Sequence, residues 1–93
     1  MQVADIQKKI APILRAHGVR RASLFGSHAR GDAREDSDVD ILIEFPKGKS
    51  LLDLIGLERE LARELGKKVD LGTYKSVSPM LQKYIAQDEL QLI

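Results

Sequence analysis

The eight residues Asp38-Val39-Asp40-Ile41-Leu42-Ile43-Glu44-Phe45 constrain the fold most. Apolar and polar side chains alternate along them almost without a break. An extended strand sends successive side chains to opposite faces, so Val39, Ile41, Ile43 and Phe45 share one face and Asp38, Asp40, Leu42 and Glu44 the other. Such a strand belongs to a sheet with one face on a hydrophobic core and the other left open. Pro46 and Gly48 end it.

The flanking segments supply the core. Val3, Ile6, Ile10, Ile13, Leu14 and His17 recur at helical spacing over 3–17. Pro12 interrupts this run and predicts a kink or a restart, and Gly18 is a natural stop. Residues 20–25, RRASLF, read as a strand ending at Gly26, and the polar stretch 27–37 as a loop or one short helical turn. Ser50 caps a helix over 51–65 with Asp53 as its reciprocal partner, and Leu54, Leu57, Leu61 and Leu65 line its buried face. Residues 67–72 read as a third strand. Ser78-Pro79 opens a last helix running to about Gln87. The tail, ELQLI, has weak strand character, and its Leu90, Leu92 and Ile93 read as an exposed docking strip. The order helix, strand, strand, helix, strand, helix predicts one α+β domain over 1–93, a small mixed β-sheet with helices packed on one face.

Composition narrows the setting. At 93 residues the chain builds a modest core with little area left for an elaborate pocket. Hydrophobic residues make up 43% and charged residues 31%, a balance that folds. Fifteen basic and fourteen acidic side chains give a net charge of +1, so direct nucleic-acid binding is not expected. There is no cysteine, hence no disulfide frame and no thiolate metal site. The N-terminus lacks the basic start and apolar run of a signal peptide, and no apolar stretch approaches the ~18 residues of a membrane span. The expected location is cytoplasmic.

The segment that carries chemistry is LFGSHARGDAREDSDVDILIEF. Asp38 and Asp40 share a strand face roughly 6.5–7 Å apart along the backbone, a spacing at which two carboxylates converge on a hard cation. Mg²⁺ takes oxygen ligands and usually binds through one or two carboxylates plus substrate phosphates. Gly26 and Ser27 follow a strand directly. Glycine lets the backbone approach a phosphate, and a helix starting there aims free N–H groups at an anion. Asp70, between Val69 and Leu71, falls on the face opposite its apolar neighbours. If its strand lies beside 38–45, its carboxylate joins the other two, to hold a second metal or accept a proton.

Gly26-Ser27, ten residues, then Asp38-Val39-Asp40 resembles the signature of the polymerase-beta-like nucleotidyltransferase superfamily. The longer string, Phe25 to Gly31 and Ser37 to Leu42, resembles its smallest branch, the minimal nucleotidyltransferases (MNT). The resemblance implies the polymerase-beta-like palm fold, and a metal-dependent transfer of a nucleoside monophosphate from a triphosphate, with ATP the expected substrate. It implies that Asp38, Asp40 and Asp70 are catalytic metal ligands for two Mg²⁺ ions, and that Gly26 and Ser27 cradle the triphosphate with Arg30 nearby. It also implies a partner, since many members of this branch are antitoxins of HEPN-domain toxins. Some attach AMP to a toxin tyrosine.

Several residues have plainer readings. Arg34 reads as an ordinary loop charge, His28 equally well as a surface residue, and His17 as a helix-end residue. Tyr74 and Tyr84 read as packing residues. Lys67 and Lys68 sit beside a helix end, where cations are favoured anyway. A rival function is an antitoxin that neutralises its partner by binding alone, with the nucleotide site idle.

Overall fold

Ser50 starts the longest helix in the way its side chain predicts. In the computed structural model its Oγ accepts the Asp53 amide at 3.4 Å, and the Asp53 carboxylate accepts the Ser50 amide at 2.8 Å. These bonds hold the Asp53 carboxyl below the usual carboxylate range. The structure describes residues 2–93, apart from the side chains of Leu81, Tyr84, Ile85, Ala86 and Asp88, so the packing expected of Tyr84 lies outside it.

The elements follow in the order α1 (Val3–Ala16), β1 (Arg21–Phe25), α2 (Gly26–Arg30), β2 (Val39–Glu44), α3 (Leu51–Leu65), β3 (Val69–Thr73), a 3₁₀ turn (Tyr74–Ser76), α4 (Pro79–Asp88) and β4 (Leu90–Gln91). The sheet has the order β3-β2-β1-β4. β1 runs antiparallel to both β2 and β4, and β2 runs parallel to β3 across the α3 connection. The expected mixed sheet in an α+β fold is therefore present.

Ile6, Ile10 and Leu14 of α1 and Leu57, Leu61 and Leu65 of α3 pack with Ala22, Leu24, Val39, Ile41, Ile43, Val69 and Leu71 of the sheet. Their burial follows the two periodicities, 3.6 on the helices and 2 on the strands. The other sheet face carries Arg21, Ser23, Asp40, Leu42 and Asp70, with α4 and the 3₁₀ turn at its rim. At the β3 edge the Glu58 carboxylate accepts the Leu71 amide at 3.0 Å, which blunts an otherwise open strand.

Two expectations change. Pro12 neither breaks α1 nor restarts it; the helix runs through. Pro12 and Lys8 both lie on the exposed side, so the Lys8 carbonyl that loses its partner faces water. Of the three tail residues expected to form an exposed docking strip, Leu90 is exposed and Ile93 partly so, but Leu92 is not. Leu92 is 1% exposed and belongs to the core. Its amide donates to the Ala22 carbonyl at 2.8 Å and its own carbonyl accepts Gln7 Nε2 at 2.9 Å. The short β4 on the free edge of β1 turns this leucine inward, which the weak strand pattern of five residues did not disclose.

Candidate active site

Asp40 and Asp70 are directly paired in the parallel register of β2 and β3. On the other side of β2, Asp40 pairs with Phe25, the last residue of β1. The chain then enters α2 at Gly26. Three segments thus meet at one end of the open sheet face: the β1–α2 junction with Gly26 and Ser27, the start of β2 with Asp38 and Asp40, and β3 with Asp70.

Burial pushes the Asp40 carboxyl above its ordinary value, and the charges of Asp70 and Asp38 add to the effect, while His28 and Arg30 partly offset it. Gly26 has φ of +71°, a left-handed conformation that favours glycine. A β-carbon there would run into the Asp40 carboxylate. The glycine therefore leaves space for Asp40, besides the phosphate approach expected of it.

Asp38 lies just ahead of β2, with its Oδ2 3.9 Å from Lys68 Nζ. The loop leading to it is tied at several points. Ser37 exchanges bonds with Arg34, its Oγ accepting the Arg34 amide at 2.8 Å and its amide donating to the Arg34 carbonyl at 3.0 Å. Lys67 Nζ donates to the Glu35 carbonyl, and the Val39 amide to the Lys68 carbonyl at 2.9 Å. His28 is 5% exposed, not a surface residue. Its Nε2 donates to the Ser37 carbonyl at 3.4 Å, one residue before Asp38. Arg30 Nε lies 3.4 Å from Asp32 Oδ2 at the outer end of α2. Lys67 and Lys68, read as helix-end charges, therefore reach the loop and Asp38 respectively.

Sequence reasoning missed a polar knot on the same face. Ser23, 0% exposed, donates to Glu89 and accepts from the Tyr74 hydroxyl at 2.6 Å. Arg21 Nη2 donates to Glu89 at 2.7 Å, with its guanidinium carbon 4.5 Å from the Tyr74 ring centroid. These bonds hold the Glu89 carboxyl below its ordinary value, whereas burial raises the Tyr74 phenol. The signal was available in β1, where Arg21 and Ser23 alternate with Ala22 and Leu24. Tyr74 is thus more than packing. A shallow cavity of about 190 Å³ lies between the knot and the carboxylates, bordered by Phe25, Leu42, Val77, Asp40 and Asp70.

Among the described residues, no group of three or more His, Cys, Asp or Glu side chains is gathered closely enough to hold a metal ion unaided. The arrangement offers a carboxylate pair, Asp38 beside it, and a glycine whose missing β-carbon leaves the pair accessible. That donor set suits a hard cation completed by phosphate oxygens.

A mixed sheet with helices on one face and aspartates at the β1–α2 end of the other is the frame of a nucleotidyltransferase. The sequence profile of the nucleotidyltransferase domain matches residues 7–93, and the chain belongs to that family of enzymes. It is 50% identical, over the full length of both chains, to a Methanocaldococcus jannaschii protein that carries the name protein adenylyltransferase. It is 42% identical to the protein adenylyltransferase MntA of Thermococcus cleftensis, across 87% of this chain and 90% of that one. Among solved structures, a minimal nucleotidyltransferase superposes with a TM-score of 0.84 at 33% identity, covering 97% of this chain and 95% of that one. A chain of a toxin–antitoxin complex with AMP-PNP gives 0.82 at 28% identity over 94% and 72%. A chain from the complex of tri-AMPylated Shewanella oneidensis HEPN toxin with its MNT antitoxin gives 0.76 at 25% identity over 97% and 71%. No helix among the described residues is long and apolar enough to cross a membrane.

Proposed function

We propose that this chain transfers AMP from ATP to a hydroxyl, a tyrosine by preference, on a HEPN-domain toxin, and so acts as its antitoxin in the cytoplasm. The observation that carries the reading is the register pairing of Asp40 with Asp70 beside Gly26. The AMPylated toxin in one structural relative and the adenylyltransferase names of the curated relatives support the choice of substrate.

Each residue has a part. The leading amides of α2, at Gly26 and Ser27, and the Ser27 hydroxyl receive the triphosphate, because the first N–H groups of a helix have no partner within it. Arg30, at the far end of that short helix, is near enough for its charge to act on Asp40, and it adds a cation for the phosphates. The acceptor oxygen bonds to the α-phosphorus, the bond from that phosphorus to the β-phosphate breaks, and pyrophosphate leaves. The hydroxyl proton passes to the Asp70 carboxylate. Asp38 and Asp40, with Asp70, would hold Mg²⁺, two ions in the full complex, which when bound neutralises charge on the phosphates. Burial raises the Asp40 pKa and the charges of Asp70 and Asp38 add to it, both of which favour a cation beside the carboxylate. His28 and Lys67 position Asp38 through the loop.

The test uses ATP labelled at the α- or the γ-phosphate, with Mg²⁺ and a HEPN-domain partner. Label from the α-position alone should enter the partner. Label from the γ-position would make the enzyme a kinase and overturn the reading.

A further inference from the structure

A large groove lies away from the carboxylates. It has a volume of about 610 Å³ and sits at the opposite ends of β2 and β3, between the β2–α3 connection and the 3₁₀ turn. Glu44, at its border, lies four positions along β2 from Asp40, roughly 13 Å of strand.

Its floor is apolar, with Ile43, Leu54 and Leu71. Around it stand Lys47, Lys49 and Lys75, against one acidic lining residue, Glu44. None of the three lysines is in an ion pair among the described residues. The apolar surface continues outward onto α3, where Leu51 is 70% and Leu52 78% exposed. A chain with a net charge of +1 has gathered three cations around one apolar cleft.

We infer that this groove docks an acidic segment with an apolar anchor on the protein acceptor, holding that protein while its hydroxyl reaches Asp40 and Asp70. The inference rests on the reading of the acceptor as a protein. Charge complementarity selects the occupant: the rim repels basic segments, and a floor of aliphatic side chains rewards a buried leucine or aromatic residue and not a fully hydrated chain. Placing the grip away from the chemistry suits an enzyme whose catalytic end has little surface of its own. The acceptor is bound at one end of the strands and modified at the other.

The experiment is calorimetry of this protein with its HEPN-domain partner, without nucleotide or metal, at several salt concentrations. The triple charge reversal Lys47→Glu/Lys49→Glu/Lys75→Glu should weaken binding by at least about tenfold and remove most of its salt dependence. ATP affinity should stay as in the wild type. Lys→Arg at the same three positions should bind normally, and Leu51→Ser should weaken binding without changing its salt dependence. Unchanged binding by the reversed protein, or no binding by the wild type, overturns the inference. Transfer assays separate it from the catalytic reading. AMP transfer with an unchanged acceptor KM in the reversed protein sinks the groove alone. Lysine-dependent binding without any AMP transfer by the wild type sinks the catalytic reading and leaves the groove.

Discussion

The Asp40 carboxylate fills the space that a β-carbon on Gly26 would need. The glycine that opens α2 and the aspartate that begins the carboxylate pair are therefore one steric unit. A side chain at Gly26 would force the Asp40 carboxylate to move.

Gly26→Ala should accordingly damage both. The left-handed φ of +71° costs an alanine of order 1–3 kcal/mol, and the contact with Asp40 adds to it. Chemical denaturation should show a loss of at least about 1 kcal/mol. Nucleotide transfer should fall further than that loss of stability explains, because Asp40 is displaced. A variant as stable and active as the wild type would place the carboxylate elsewhere.

Asp40→Asn should separate stability from activity. Folding raises the Asp40 pKa, so a proton on this group favours the folded state. That contribution is present below the ordinary carboxylate range and is lost as pH rises through the raised value. At neutral pH the ionised group therefore destabilises the metal-free protein. In chelator, the asparagine variant should melt higher than wild type at pH 7, and the gap should shrink on acidification. Its transfer rate should fall by at least about a hundredfold, as loss of several kcal/mol of charge stabilisation requires. A lower melting point at pH 7 would mean that the carboxylates are not crowded.

His28→Ala tests whether the buried histidine positions Asp38. Removing its ring leaves the Ser37 carbonyl without that donor, at a cost of about 1–3 kcal/mol. Amides of 32–38 should exchange faster with deuterium, and kcat should drop with little change in ATP affinity. Unaltered exchange in this loop would leave His28 a packing residue only.

The polar knot should govern acid stability. Glu89 has a lowered pKa, so its contribution is present above the ordinary carboxylate range and is lost as pH falls through the lowered value. Glu89→Gln should unfold more readily than wild type at pH 7, and the two melting points should converge toward pH 3. A constant gap across that range would assign the effect to shape and not to charge.

Much of this fold was legible because its periodicities are strong. Val39, Ile41 and Ile43 against Asp38 and Asp40 could belong only to a one-sided strand, and Ser50 with Asp53 marked the start of α3 within a residue. The pairing of Asp40 with Asp70 followed from alternation in Val69-Asp70-Leu71 once β2 and β3 lay side by side. What stayed hidden depends on contacts far apart in the chain. Glu89 lies 66 residues from Ser23. Nothing near Leu92 announces that Ala22 will pair with it. His28 looked like one more polar loop residue because its partner is a backbone carbonyl, which leaves no trace in side-chain pattern.

The most direct measurement of the central claim is the intact mass of the HEPN-domain partner after incubation with this protein, ATP and Mg²⁺. The account predicts a gain of one or more AMP units with the wild type, and none with Asp40→Asn. A tight complex that neutralises the partner at unchanged mass, with all three aspartates in place, would contradict it.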